Sequence, residues 1–141
     1  MGWPEDLSGP AYARGMTLPV VGIAYLNADG SNRQFEVMTC VPGEAVSLEP
    51  EPRNKHDRFA IAVKSVRGVQ IGYLPAERAP WIGSMIRAGR EISAIFQQAT
   101  PYGAAIRLAM DGHTPVLPEE PAVDPLPADD GFWADYIPPD D

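Results

Sequence analysis

The chain has 141 residues, 45% of them hydrophobic, with one cysteine and a formal charge of −8. That length supports one domain with a modest core, the single Cys40 excludes an internal disulfide, and no apolar run approaches the ~20 residues that cross a bilayer. A balance of −8 argues against a nucleic-acid partner unless the acids are gathered away from the core. In chain order, residues 1–16 carry Pro4, Gly9, Pro10 and Gly15 without any period, which predicts a loose arm. The start lacks the basic and apolar regions of a secretory signal and the Ser/Thr of a myristoylation signal, so a soluble, intracellular, cytoplasmic monomer is expected.

Leu18, Val20, Val21, Ile23, Tyr25 and Leu26 predict a mostly apolar first strand, with Gly22 marking a bulge or a close backbone approach. Ser31 followed by Gln34 reads as a capping box, so a helix is expected there, with Phe35 and Met38 facing the core and Pro42-Gly43 stopping it. Glu44 to Leu48 alternates like a half-buried strand. A polar loop follows, in which Pro50 and Pro52 oppose regular pairing and Arg53-Asn54-Lys55-His56-Asp57-Arg58 gathers three cations, an amide, an imidazole and a carboxylate. Phe59 to Val63 and Val69 to Leu74, joined by Val66-Arg67-Gly68, predict a β-hairpin.

Beyond Leu74-Pro75, residues 76–88 look helical, with Ile82, Met85 and Ile86 on one face. An interior proline costs a helix ~3 kcal/mol, so a turn is expected at 76–79, the helix starting with Pro80 in its first turn and ending at Gly89. Glu91 to Thr100 and Tyr102 to Met110 complete the set as two strands.

The last 31 residues differ in character, with seven prolines and nine acids but no Lys/Arg, a composition expected to be disordered. Residues 17–110, by contrast, hold ten Lys/Arg against eight Asp/Glu, so the acidity belongs to the tail and the core is compatible with nucleic acid. Within residues 129–138, Phe132, Trp133, Tyr136 and Ile137 fall at i, i+1, i+4 and i+5 behind Asp129-Asp130, the pattern of a short partner-binding motif. A solubilising tail, or one that folds back into a ligand groove, would have the same composition.

The string Glu-Pro-x-Asn-x-His-Asp-x-x-Ala-Ile-Ala-Val, then Gly-x-Gln-Ile-Gly-Tyr-Leu-Pro, with the earlier Val20-Val21-Gly22-Ile23-Ala24-Tyr25, resembles the HIRAN domain over residues 17–110. The resemblance implies a mainly β fold with two helices, a small six-stranded barrel related to OB folds. It also implies a non-catalytic module that holds single-stranded DNA at a free 3′ end in DNA repair or remodelling. In that family the aromatic at Tyr25 stacks on a terminal base, and the pair at His56-Asp57 contacts the last sugar.

A carboxylate at Asp57 would accept a 3′-hydroxyl and repel a 3′-phosphate. On the residues alone, a strand tyrosine such as Tyr25 is more often a core residue with its hydroxyl at the edge, while Asn54 and Asp57 could equally close a turn by bonding their own backbone. Arg53, Lys55 and Arg58 are the candidate phosphate partners, with Tyr73 and Tyr102 as groove-lining aromatics. The chain departs from helicase-type members at Ala24, Lys55, Phe59 and Pro75-Ala76. Two histidines and one cysteine leave no recognisable zinc, nucleotide or catalytic-triad motif, so no cofactor is implied. The expected partners are a DNA end and a helicase or nuclease acting in trans; an adaptor working through the acidic tail is the alternative.

Overall fold

The structure, a computed structural model, describes residues 11–118, so the tail motif at Phe132, Trp133, Tyr136 and Ile137 lies outside the described residues. Six strands form one antiparallel sheet: β1 (Met16–Val20), β2 (Ala45–Pro50), β3 (Ile61–Lys64), β4 (Gln70–Tyr73), β5 (Ile92–Thr100) and β6 (Gly103–Met110), in the order β1-β6-β5-β2-β3-β4. Two helices accompany them, α1 (Arg33–Thr39) and α2 (Ala79–Arg87). The regular ladder ends at β1 and β4 and does not form a closed barrel; beyond it, Val21 and Tyr73 make one isolated bridge, each N–H donating to the other's carbonyl at 2.9 Å.

The core lies between the sheet and the helices, where Val20, Ile61, Val63, Ile71, Ile82, Phe96, Ile106, Leu108 and Met110 are enclosed. β6 is buried on nearly every residue: Ile106 and Leu108 belong to the main core, while Ala13, only 1% exposed in a 3-10 turn at Ala11–Arg14, packs near β6. The last part of the expected loose arm is therefore ordered. Pro19 sits in β1, whose only ladder partner among the described residues is β6, so its missing N–H interrupts no second ladder there.

α2 follows the sequence closely. Pro80 stands in its first turn, Ile82 and Met85 are buried, and the chain leaves through Gly89 at φ 86°. Arg90 N–H then donates to Met85 O at 3.1 Å and Gly89 N–H to Ile86 O at 3.0 Å, the paired bonds of a Schellman stop.

α1 differs from expectation in both its start and its face. The cap is Asn32, whose Oδ1 accepts from Phe35 N–H at 2.9 Å, and the predicted Ser31–Gln34 box is not formed; Ser31 instead bonds Asn27 and Asp29. Phe35 and Met38, expected inside, are 64% and 78% exposed, while Arg33, Glu36 and Val37 are buried. Bonded partners explain the reversal. Glu36 Oε2 accepts from Ser65 Oγ at 2.6 Å and from Arg67 Nε at 2.7 Å, so the polar face of the helix finds its hydrogen bonds underneath it.

Two strand limits also move. The first predicted strand stops at Val20, and residues after Gly22 turn. β2 runs through Pro50, which pairs with Ile61 despite the expected break; β5 reaches only Ala45 and Val46, so by Pro50 the strand has a single neighbour and a lost N–H is tolerated.

Candidate nucleic-acid interface

Two loops converge on Tyr73 at the end of β4. The first is the turn after β1. Gly22 O accepts from Tyr25 N–H at 3.3 Å and from Arg33 Nη1 at 2.8 Å, which fastens that turn to α1. Asn27 completes the fastening: its Oδ1 accepts from Arg33 Nε at 2.7 Å and its Nδ2 donates to Gln70 O at 2.9 Å. The Arg33 guanidinium then lies 5.5 Å from the centroid of the Tyr73 ring.

The second loop carries the predicted charged string. Asn54 Oδ1 accepts from His56 N–H at 2.8 Å and Asp57 N–H at 3.0 Å, and Asp57 Oδ1 accepts from Phe59 N–H at 2.8 Å. Both side chains therefore close their own turn, the structural role open to them from sequence. Asp57 Oδ2 makes no hydrogen bond among the described residues. Glu51 joins the loop to the hub, accepting at Oε1 from Tyr73 OH at 2.8 Å and Asn54 Nδ2 at 3.0 Å.

A continuous bonded path thus runs from Gly22 and Asn27 through Arg33, Tyr73 and Glu51 to Asn54 and Asp57. On it the candidate residues divide by exposure. Arg53, Lys55, His56 and Arg58 are exposed, Asn54, Asp57 and Tyr73 half-buried, and a shallow cleft is lined by Glu51, Pro52, Arg53 and Asn54. The Arg58 guanidinium lies 5.1 Å from the Phe59 ring centroid, which leaves it at the surface. At the base of the loop Lys64 and Glu49 pair at 2.8 Å, and the hydrogen bond to that carboxylate holds the ammonium above its usual range.

Tyr25 stands in a turn beyond β1, 58% exposed, and not on the strand as expected. Tyr102 occupies the β5–β6 turn and is exposed; its neighbour Gly103 comes so close to Val20 O that a Cβ there would lie 2.6 Å away. Tyr73 is a fixed hub, bonded at its hydroxyl and covered by a guanidinium on its ring.

Sequence reasoning missed Arg33, Asn27 and Glu51, which hold the two loops. Glu51 opens the quoted motif, but the motif alone gives it no role. Nothing in the sequence distinguishes an inward Arg33 from a solvated one. Among the described residues, no three His, Cys, Asp or Glu side chains are placed to share a metal ion, and no helix is long and apolar enough to cross a membrane.

Comparison with known proteins gives the family. Three solved structures are similar to the chain, the first two of them sharing its fold. The crystal structure of the HIRAN domain of human HLTF is 24% identical, with a TM-score of 0.52 over 68% of this chain and 72% of that one. A protein from Lactobacillus plantarum is 20% identical, with a TM-score of 0.57 over 67% of this chain and 91% of its own. The NMR structure of the HLTF HIRAN domain in its DNA-bound conformation is 24% identical at a TM-score of 0.47, over 70% and 75%. No curated protein matches the chain. The HIRAN domain family model matches residues 16–109, two thirds of the sequence, and the chain belongs to the HIRAN family.

Proposed function

We propose that this protein is a non-catalytic nucleic-acid-binding module that holds single-stranded DNA at a free 3′ end, serving a helicase or nuclease supplied in trans. Family membership supports the general class, and one observation carries the finer reading. The Asn54–Asp57 turn uses only one oxygen of Asp57 and presents Arg53, Lys55, His56 and Arg58 to solvent, on a framework shared with the Tyr25 turn.

In this reading the Tyr25 ring stacks on the terminal base, contributing ~1–3 kcal/mol without selecting sequence. Asp57 Oδ2 accepts a hydrogen bond from the 3′-hydroxyl, and its charge repels a 3′-phosphate. The three loop cations meet backbone phosphates, each contact adding about −0.7 to the salt slope.

Fluorescence anisotropy with oligonucleotides ending in 3′-hydroxyl or 3′-phosphate tests the assignment. Asp57→Asn keeps an oxygen for Phe59 N–H and therefore the turn, but removes the charge. Preference for the hydroxyl end should fall about tenfold, ~1.4 kcal/mol, while the melting temperature barely moves. Equal affinity of the wild-type protein for both ends would refute end reading. A large drop in melting temperature with preference intact would confine Asp57 to the turn.

A further inference from the structure

α1 is apolar on the side turned away from the protein. With successive residues 100° apart, Arg33, Glu36 and Val37 point into the fold and Phe35 and Met38 point directly out of it. Leu26 is held beside the helix start by its bridge to Asn32, and Val41 follows the helix end; both are exposed. Leu26, Phe35, Met38 and Val41 therefore form a strip along the outer edge of the element. Large apolar side chains gathered on one exposed face, unlike hydrophobics scattered singly, mark an interaction surface.

We propose that the strip is the docking site for the C-terminal segment of the same chain, Phe132 to Ile137. Residues 119–141 follow the last described residue, and thirteen residues, 119–131, separate Pro118 from Phe132. Fully extended, the fourteen steps from Pro118 to Phe132 reach about 46 Å, long against a domain whose radius of gyration is about 13 Å. In the sequence, Phe132, Trp133, Tyr136 and Ile137 fall at i, i+1, i+4 and i+5, the spacing that would put four apolar side chains on one edge against α1.

A tether also decides between occupants. A linked segment has an effective concentration near millimolar, which a second copy of the protein at micromolar concentration cannot match. The contact is apolar, so salt should leave it in place.

The test uses the full chain with ¹³C-methyl methionine and ¹⁵N labels. The Met38 methyl resonance should show a ring-current shift that Trp133→Ala abolishes and raised salt does not. In Phe35→Gln/Met38→Gln, whose changes are at exposed positions and leave the fold intact, the amides of 132–137 should move to random-coil shifts. An unshifted Met38 methyl in the wild type, or 132–137 amides indifferent to the double change, would overturn the proposal. A Met38 shift that grows with protein concentration would overturn it too, assigning the strip to a second copy.

Discussion

Arg33 points inward from α1, 8% exposed, and its charge must be satisfied by what surrounds it. The fork does this with two bonds, Nε to Asn27 Oδ1 and Nη1 to Gly22 O, while its face covers the Tyr73 ring. A lysine ammonium is a point charge on a flexible stem and cannot reproduce that geometry. Arg33→Lys should cost ~1–3 kcal/mol, read from the urea midpoint, because one of two half-buried acceptors loses its donor. Since Gly22 O also holds Tyr25 N–H, the change should weaken nucleic-acid binding without touching a loop cation. A midpoint unchanged within error would mean that water replaces the guanidinium and that the bonded path is not what fixes the two loops. The residues expected to touch a ligand stand out in the sequence because cations, amides and imidazoles are conspicuous in a loop. Their support does not, because Arg33, Asn27 and Glu51 sit far apart in sequence and acquire meaning only when Tyr73 stands between them.

Among the elements, the two helices make the contrast plain. α2 was legible because proline and glycine act through the backbone: Pro80 can only begin the helix and Gly89 readily ends it. α1 was read with the wrong face inward because hydrophobicity ranks Phe35 and Met38 above Arg33 and Glu36, and the ranking omits the partners waiting underneath. Ser65 and Arg67, nearly thirty residues or more away, make burying Glu36 tolerable. The cap was misread for a related reason, since Ser31 and Asn32 are both good capping residues and adjacent in sequence. Two substitutions separate them. Asn32→Ala removes the acceptor for Phe35 N–H and should cost about 1 kcal/mol, whereas Gln34→Ala, which would break a capping box, should leave stability unchanged. Thermal or urea denaturation of the two variants reads the difference, and a larger loss for Gln34→Ala would return the cap to Ser31.

At the scale of the whole molecule, strand number, helix number and the separation of a near-neutral core from an acidic tail followed from pattern and composition. How the chain beyond β1 comes against β4 did not. Residues 20–23 cross between β4 and the β5–β6 turn, and that crossing requires the absence of two side chains. A Cβ at Gly72 would lie 2.4 Å from Val21 O and 2.7 Å from Val20 Cγ1, and one at Gly103 would lie 2.6 Å from Val20 O. The clashing atoms are mainly backbone and cannot swing aside. Gly72→Ala should therefore break the Val21–Tyr73 bridge or strain the fold, with a cost of about 3 kcal/mol or more, and Gly103→Ala should behave similarly. Gly83 supplies the contrast. Inside α2, its added Cβ would meet Arg87 Nη1 at 3.5 Å and Ile61 Cδ1 at 3.7 Å, ordinary contacts, so Gly83→Ala should stabilise by ~0.5–1 kcal/mol. Hydrogen exchange locates the damage as well as its size: in Gly72→Ala, protection should be lost first at the Val21 and Tyr73 amides, whose mutual bonds form the bridge. If those amides stayed protected while the whole protein lost stability evenly, the contact at residues 20–23 would be ordinary packing. Because Tyr73 also carries the bonds to Arg33 and Glu51, opening that bridge should loosen both candidate loops together.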